Sequence, residues 1–107
     1  MITIYGIKAC DSCKKAILHF AGKATFKDIR IEPLSIETLE RFISIFGDRL
    51  INKRSKTWKA LSPEEKLLSS RDLLKKFPTV MKRPVIECSD TSQNSIGWSA
   101  EVKNQYR

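Results

Sequence analysis

Ile2-Thr3-Ile4-Tyr5-Gly6-Ile7-Lys8-Ala9-Cys10-Asp11-Ser12-Cys13 opens on a β-branched and aromatic run and closes on two cysteines with two residues between them. Ile2–Tyr5 reads as a short strand. Beyond it Cys13, Ala16, Ile17 and Phe20 recur at three- and four-residue steps, an apolar helical stripe, so the cysteine pair sits where a strand hands over to a helix. Cys10 is therefore expected at or beside the helix N-terminus. Unpaired backbone N–H groups and the positive end of the helix dipole favour an anion there, which makes the thiol easier to ionise and a better nucleophile.

Outward from this stretch, Gly22 supplies a stop, and Thr25–Ile31 alternates apolar and polar residues like a half-buried strand. Strand, helix, strand over this length implies a parallel pair joined by a right-handed crossover. Pro33 breaks the second strand, and Ser35 caps a helix whose face carries Ile36, Leu39, Phe42, Ile43 and Phe46 before Gly47 ends it. Asp48–Leu61 is polar and fits no element clearly. Ser62-Pro63-Glu64-Glu65 has the form of a capping box and predicts a helix through Leu67 and Leu68. Its continuation, or a second short helix, carries Leu73, Leu74 and Phe77 up to Pro78. Pro84–Cys88 and Ser95–Trp98 read as strands joined by a hairpin loop over Ser89–Asn94, and Ser99 caps a last helix with Val102 and Tyr106. No repeat or linker interrupts the chain, so the middle helices are an insertion within one domain.

The 107 residues are 41% hydrophobic, enough for one small core. No run of eighteen apolar residues and no signal-like N-terminus occurs, so a cytoplasmic protein without a membrane partner is expected. Three cysteines, Cys10, Cys13 and Cys88, are too few for a disulfide framework and point to thiols in a reducing compartment. A net charge of +8 suits acidic partners: nucleic acid, an anionic small substrate or an acidic protein surface. The ordinary account is a solvated basic surface, because only Lys53-Arg54 with Lys56 and Lys59, and Lys82-Arg83, are locally dense. No helix combines clustered bases with base-reading polar residues, so direct nucleic acid binding is not expected. A monomer is.

The cysteine pair admits three readings. Redox chemistry needs one nucleophilic and one resolving sulfur, and a pair three apart at a helix start provides both. Zinc would need two further ligands, with Cys88 and His19 the sole spare sulfur and imidazole, so no metal is expected. Packing of Cys13 within the apolar stripe would leave Cys10 functional. Lys14 and Lys15 read as solvated lysines, His19 as structural or surface, and Cys88 as an inert core or edge thiol. Arg83-Pro84 precedes a strand, where proline costs no ladder hydrogen bond, and X-Pro is the bond type for which the cis form is cheap.

Ile4–Lys8 with Cys10-Asp11, Leu50–Trp58, Phe77-Pro78, Lys82–Val85 and Ile96–Trp98 together resemble the ArsC/Spx family of arsenate-reductase-like proteins, in order and over nearly the whole chain. The resemblance implies an α/β, thioredoxin-like fold: a mixed four-stranded sheet flanked by helices, its core in residues 1–32 and 80–107, with a helical insertion at 33–79 between strands two and three. It implies that Cys10 is the nucleophile, that Pro84 is a cis-proline facing the thiol and that Arg83 holds an oxyanion or a bound thiol's charge. Lys8 and Arg54 complete the implied binding set, and Cys13 becomes the resolving thiol.

The same resemblance argues against arsenate reduction itself. Gly6 stands at the position of the reductases' histidine, Cys13 at that of a serine, Lys14 at that of an arginine and Asn52 at that of another arginine, and no arginine occurs between Pro84 and Tyr106. An arsenate would lose several charge-assisted contacts, each worth roughly 1.5–3 kcal/mol when desolvated. The motifs are similar to those of a small reductase-like branch, which implies a glutathione-dependent thiol reductase with glutathione, or another small thiol, as co-substrate and no bound cofactor. The alternative it implies is an Spx-like, redox-switched transcriptional regulator that binds the RNA polymerase alpha subunit.

Overall fold

The computed structural model describes residues 1–106 and divides into two compact units, one of residues 1–32 with those from 83 onward, the other of residues 33–82. The first holds β1 (Ile2–Gly6), α1 (Asp11–Phe20), β2 (Ala24–Asp28), β3 (Val85–Cys88), β4 (Gln93–Ile96) and α5 (Ala100–Gln105). The second holds α2 (Ile36–Phe46), α3 (Lys56–Lys59) and α4 (Ser70–Lys76).

The sheet runs β2-β1-β3-β4. The expected parallel pair forms, with Ile2 opposite Ala24 and Gly6 opposite Asp28, and β3 and β4 add antiparallel strands. Register explains the core: Ile4 lies between Phe26 and Ile86, and this row meets the stripe of α1 in a cluster of Ile4, Ala16, Phe20 and Ile86. Each fully buried isoleucine contributes about 1.5–3 kcal/mol by leaving water. Ile2, Ile17, Trp98 and Tyr106 close the cluster.

Three boundaries in this unit depart from the sequence reading. β2 stops at Asp28 rather than Ile31, because the Asp28 carboxylate accepts from the amides of Lys8 (3.0 Å) and Arg30 (2.9 Å) and turns the chain. Ile31, apolar but 78% exposed, had prolonged the alternation. α1 is closed by Ala21 in the left-handed region (φ 48°), one residue before the expected Gly22. β4 runs Gln93–Ile96 rather than Ser95–Trp98, since Gly97 adopts φ 77° and takes Trp98 out of the ladder to pack against His19 and Phe20.

In the second unit Ser35 caps α2 as expected, accepting from the Thr38 amide, and Leu39, Phe42 and Phe46 form its buried face. The capping box at Ser62 also forms, with the Ser62 amide donating to Glu65 Oε1 (2.8 Å) and the Glu65 amide to Ser62 Oγ (3.1 Å). It starts only a 3-10 turn over Glu65–Leu67, not a helix through Leu68, because Leu68 turns extended and Ser69 recaps the chain to begin α4. The polar stretch that fitted no element contains α3, capped by Ser55 through the Trp58 amide. Its flank is tied by the Ile51–Met81 bridge and by hydrogen bonds from Asn52 N to the Val80 carbonyl and from Lys82 N to the Leu50 carbonyl, 2.8 Å each. Among the described residues no helix is long and apolar enough to cross a membrane.

Candidate active site

Cys10 lies between the last residue of β1 and the first of α1, with extended backbone (φ −77°, ψ 127°) at the N-cap position. Its amide donates to the Ile7 carbonyl (3.0 Å) and its carbonyl accepts from Lys14 N (2.9 Å), so the residue is held between loop and helix. The loop is anchored in turn by Asp28, buried at the end of β2, through the Lys8 amide. The alternation of Thr25–Ile31 places Asp28 inside a strand; the legible signal for its role is an aspartate where a strand gives way to a turn.

Burial alone would raise the Cys10 thiol. Interactions with the Cys13 amide and thiol, the Arg83 side chain and the Ser12 amide outweigh it, and the net displacement is downward from the ordinary thiol value. Cys13 is fully buried in the stripe of α1, and burial first, then the neighbouring Cys10 charge, push it up to about 12 against the pull of the Ile7 amide. The two sulfurs are thus unequal: Cys10 ionises first, and Cys13 stays protonated and donates to it. All three cysteines are free thiols.

Arg83 reaches the same end of the sheet because it stands two residues before Val85, which pairs with Tyr5 near the end of β1. The Arg83–Pro84 bond is cis, and the Pro84 carbonyl accepts from Gly97 N (2.9 Å). Cys10, Cys13, Arg83 and Pro84 are therefore gathered within the first unit. Lys8 contributes through its amide, its side chain being exposed, and Arg54 lies in the second unit with its amide on Asn52 Oδ1 (3.0 Å).

Cys88 and His19 lie at the other end of the sheet, where they line a cavity of about 440 Å³ with Phe20, Thr91 and Tyr106. Cys88 pairs with Ile2, and four strand steps of about 3.3 Å, roughly 13 Å, separate Ile2 from Gly6 at the Cys10 end. Sulfur ligands sit at about 2.3 Å from a zinc ion, so these residues do not converge with the cysteine pair on one metal. Cys88 is half-buried on an interior strand, not an edge. His19 is structural, as expected: its Nε2 donates to the Tyr106 carbonyl (2.8 Å) and its ring packs edge-on to Phe20.

The mixed four-stranded sheet flanked by helices matches the thioredoxin-like fold of arsenate-reductase-like structures. The model of the ArsC family matches residues 5–105. The chain belongs to the ArsC family. Over 96 residues, 80% of this chain and 82% of the other, it is 40% identical to an uncharacterized protein of Haemophilus influenzae. It is 27% identical to the global transcriptional regulator Spx 1 of Bacillus cereus, covering 94% of this chain and 82% of the regulator. An arsenate reductase (ArsC) related protein from Brucella melitensis shares its structure with a TM-score of 0.73 at 31% identity, covering 98% and 92% of the two chains. An arsenate-reductase-related protein and a transcriptional regulator are therefore both among the chain's relatives.

Proposed function

We propose that this ArsC-family chain is a cytoplasmic thiol-dependent oxidoreductase that reduces a small disulfide or thiol adduct, with glutathione as co-substrate. The observation that carries this reading is the placement of two free thiols, Cys10 part-exposed at the N-cap of α1 with Cys13 and Arg83 as partners, and Cys13 buried in the helical stripe. The Cys10 thiolate attacks one sulfur of the substrate disulfide, forming a Cys10 mixed disulfide and releasing the other half as a thiolate. Adduct formation discharges Cys10 and so removes one of the causes that held the Cys13 proton in place. Cys13 then loses its proton to the departing thiolate and displaces the second half, leaving a Cys10–Cys13 disulfide. Two glutathione molecules reduce it and leave as one glutathione disulfide. Arg83 stabilises the Cys10 thiolate and each anionic leaving sulfur, the role a guanidinium fills for a soft anion. Without the arginines that the reductases place around the oxyanion, arsenate is not the substrate.

The test is turnover of a glutathione mixed disulfide by the wild-type chain and by Cys10→Ser and Cys13→Ser. Turnover that is abolished in Cys10→Ser and slowed in Cys13→Ser is expected. No turnover by the wild-type chain, with an alkylation midpoint for Cys10 at the free-thiol value of about 8.5, would leave the second reading. That reading, favoured by the likeness to Spx 1 over 94% of the chain, is a regulator whose Cys10–Cys13 oxidation switches its binding to the RNA polymerase alpha subunit.

A further inference from the structure

Gly6 ends β1, and the space where its side chain would stand is filled by the Cys13 sulfur. A Cβ built on Gly6 would collide with Cys13 Sγ, while its next neighbours, Cys13 Cβ at 3.5 Å and Phe26 at 3.7 Å, lie at ordinary contact distance. The conflict is thus with one atom. Gly6 shows no left-handed φ that would by itself demand glycine. We infer that Gly6 is a positioning residue for the resolving thiol: the missing side chain lets Cys13 Sγ sit against the strand, within reach of Cys10. A Cβ at position 6 displaces the sulfur and slows internal resolution.

The inference rests on the thiol-exchange reading and specifies its second step. In that step Cys13 Sγ forms a bond to Cys10 Sγ, the bond from Cys10 to the adduct sulfur breaks, and the Cys13 proton passes to the leaving sulfur, which departs as a thiol. Cys13 is oxidised to the disulfide level that Cys10 already holds, and the adduct sulfur is reduced as it takes the electron pair of the broken bond. Cys13 is fully buried, and in this place its sulfur meets the Ile7 amide and Cys10. With Gly6→Ala the chain returns to the free state chiefly when an external monothiol attacks the adduct.

The experiment prepares the Cys10–glutathione mixed disulfide chemically, in a Cys88→Ser background, and follows glutathione release by mass spectrometry without added thiol. Gly6→Ala is expected to slow release at least about tenfold, as misplacement of a reacting atom does. It is also expected to raise the pH midpoint of Cys10 alkylation as Cys13→Ala does, and to add nothing to Cys13→Ala in the double variant. Release at the wild-type rate overturns the inference. If Gly6→Ala fails to fold, Gly6→Ala/Cys13→Ala, which lacks the colliding atom, is expected to fold, and its failure overturns the inference equally. Because the adduct is preformed, a chain with no catalytic turnover still gives a decisive release rate, so loss of the enzyme reading and loss of this one are told apart.

Discussion

At Cys10 the direction of the thiol's displacement is decided by partners rather than by exposure, since burial acts against the anion and hydrogen-bond donors act for it. Replacing Arg83 by Gln keeps much of the side chain's volume and removes its charge. The Cys10 alkylation midpoint is expected to rise and turnover at pH 7 to fall about 10- to 100-fold, the worth of one charge-assisted hydrogen bond of about 1.5–3 kcal/mol, read from iodoacetamide kinetics and steady-state assay. Cys13→Ala is expected to raise the same midpoint, since it removes the thiol donor that lowers Cys10 while the backbone amide at position 13 is kept. The candidate nucleophile was legible from a strand running into a helical stripe. The asymmetry of the pair was not, because spacing puts Cys13 on the stripe without saying how dry that stripe becomes.

Among the elements, the turn after β2 governs the site most directly, because Asp28 holds the Lys8 amide of the loop that presents Cys10. Hydrogen bonds from Lys8 and Arg30, against burial, hold its carboxyl below the usual range. A group whose folded value is depressed contributes stability that is complete above the unfolded value near 3.9 and is lost as pH falls through the lower folded value. The acid limb of a urea-denaturation series is therefore expected to steepen below about pH 4 for the wild type and to flatten for Asp28→Asn. Asp28→Ala, which leaves two amides without their acceptor, is expected to lose about 1–3 kcal/mol at pH 7. In the second unit Ser69→Ala is expected to cost about 1 kcal/mol in the same assay, because Ser69 restarts α4 after the chain turns extended at Leu68. Here the sequence signal was divided: the stronger capping box at Ser62 starts the shorter element.

On the scale of the molecule, charge is the property that reaches furthest. A chain of net charge +8 attracts an anionic disulfide before any contact forms. Turnover per substrate of a glutathione adduct is expected to fall several-fold between about 0.02 and 0.5 M salt, as the screening length shrinks from tens of ångströms to a few, while an uncharged disulfide of similar size shows no such dependence. Equal salt dependence for the two substrates would remove steering from the account. Packing is the other property at this scale. Phe42, with no exposed surface in the second unit, is expected to lose about 3–5 kcal/mol on truncation to alanine, measured by thermal or urea unfolding.

Elements whose reasons are local can be read from the order of residues alone. The β1–α1 junction, the Ser35 and Ser99 caps and the parallel pair follow from period, cap chemistry and connection length, none of which needs a distant partner. The motif order likewise sufficed for family and fold. What tertiary structure alone decided were the features set by a residue remote in sequence. Asp28 ends β2 because Lys8 needs an acceptor, and Arg83 meets Cys10 because β3 pairs with β1. Each is a contact across tens of residues, and periodicity carries no information about the identity of the atom at its far end.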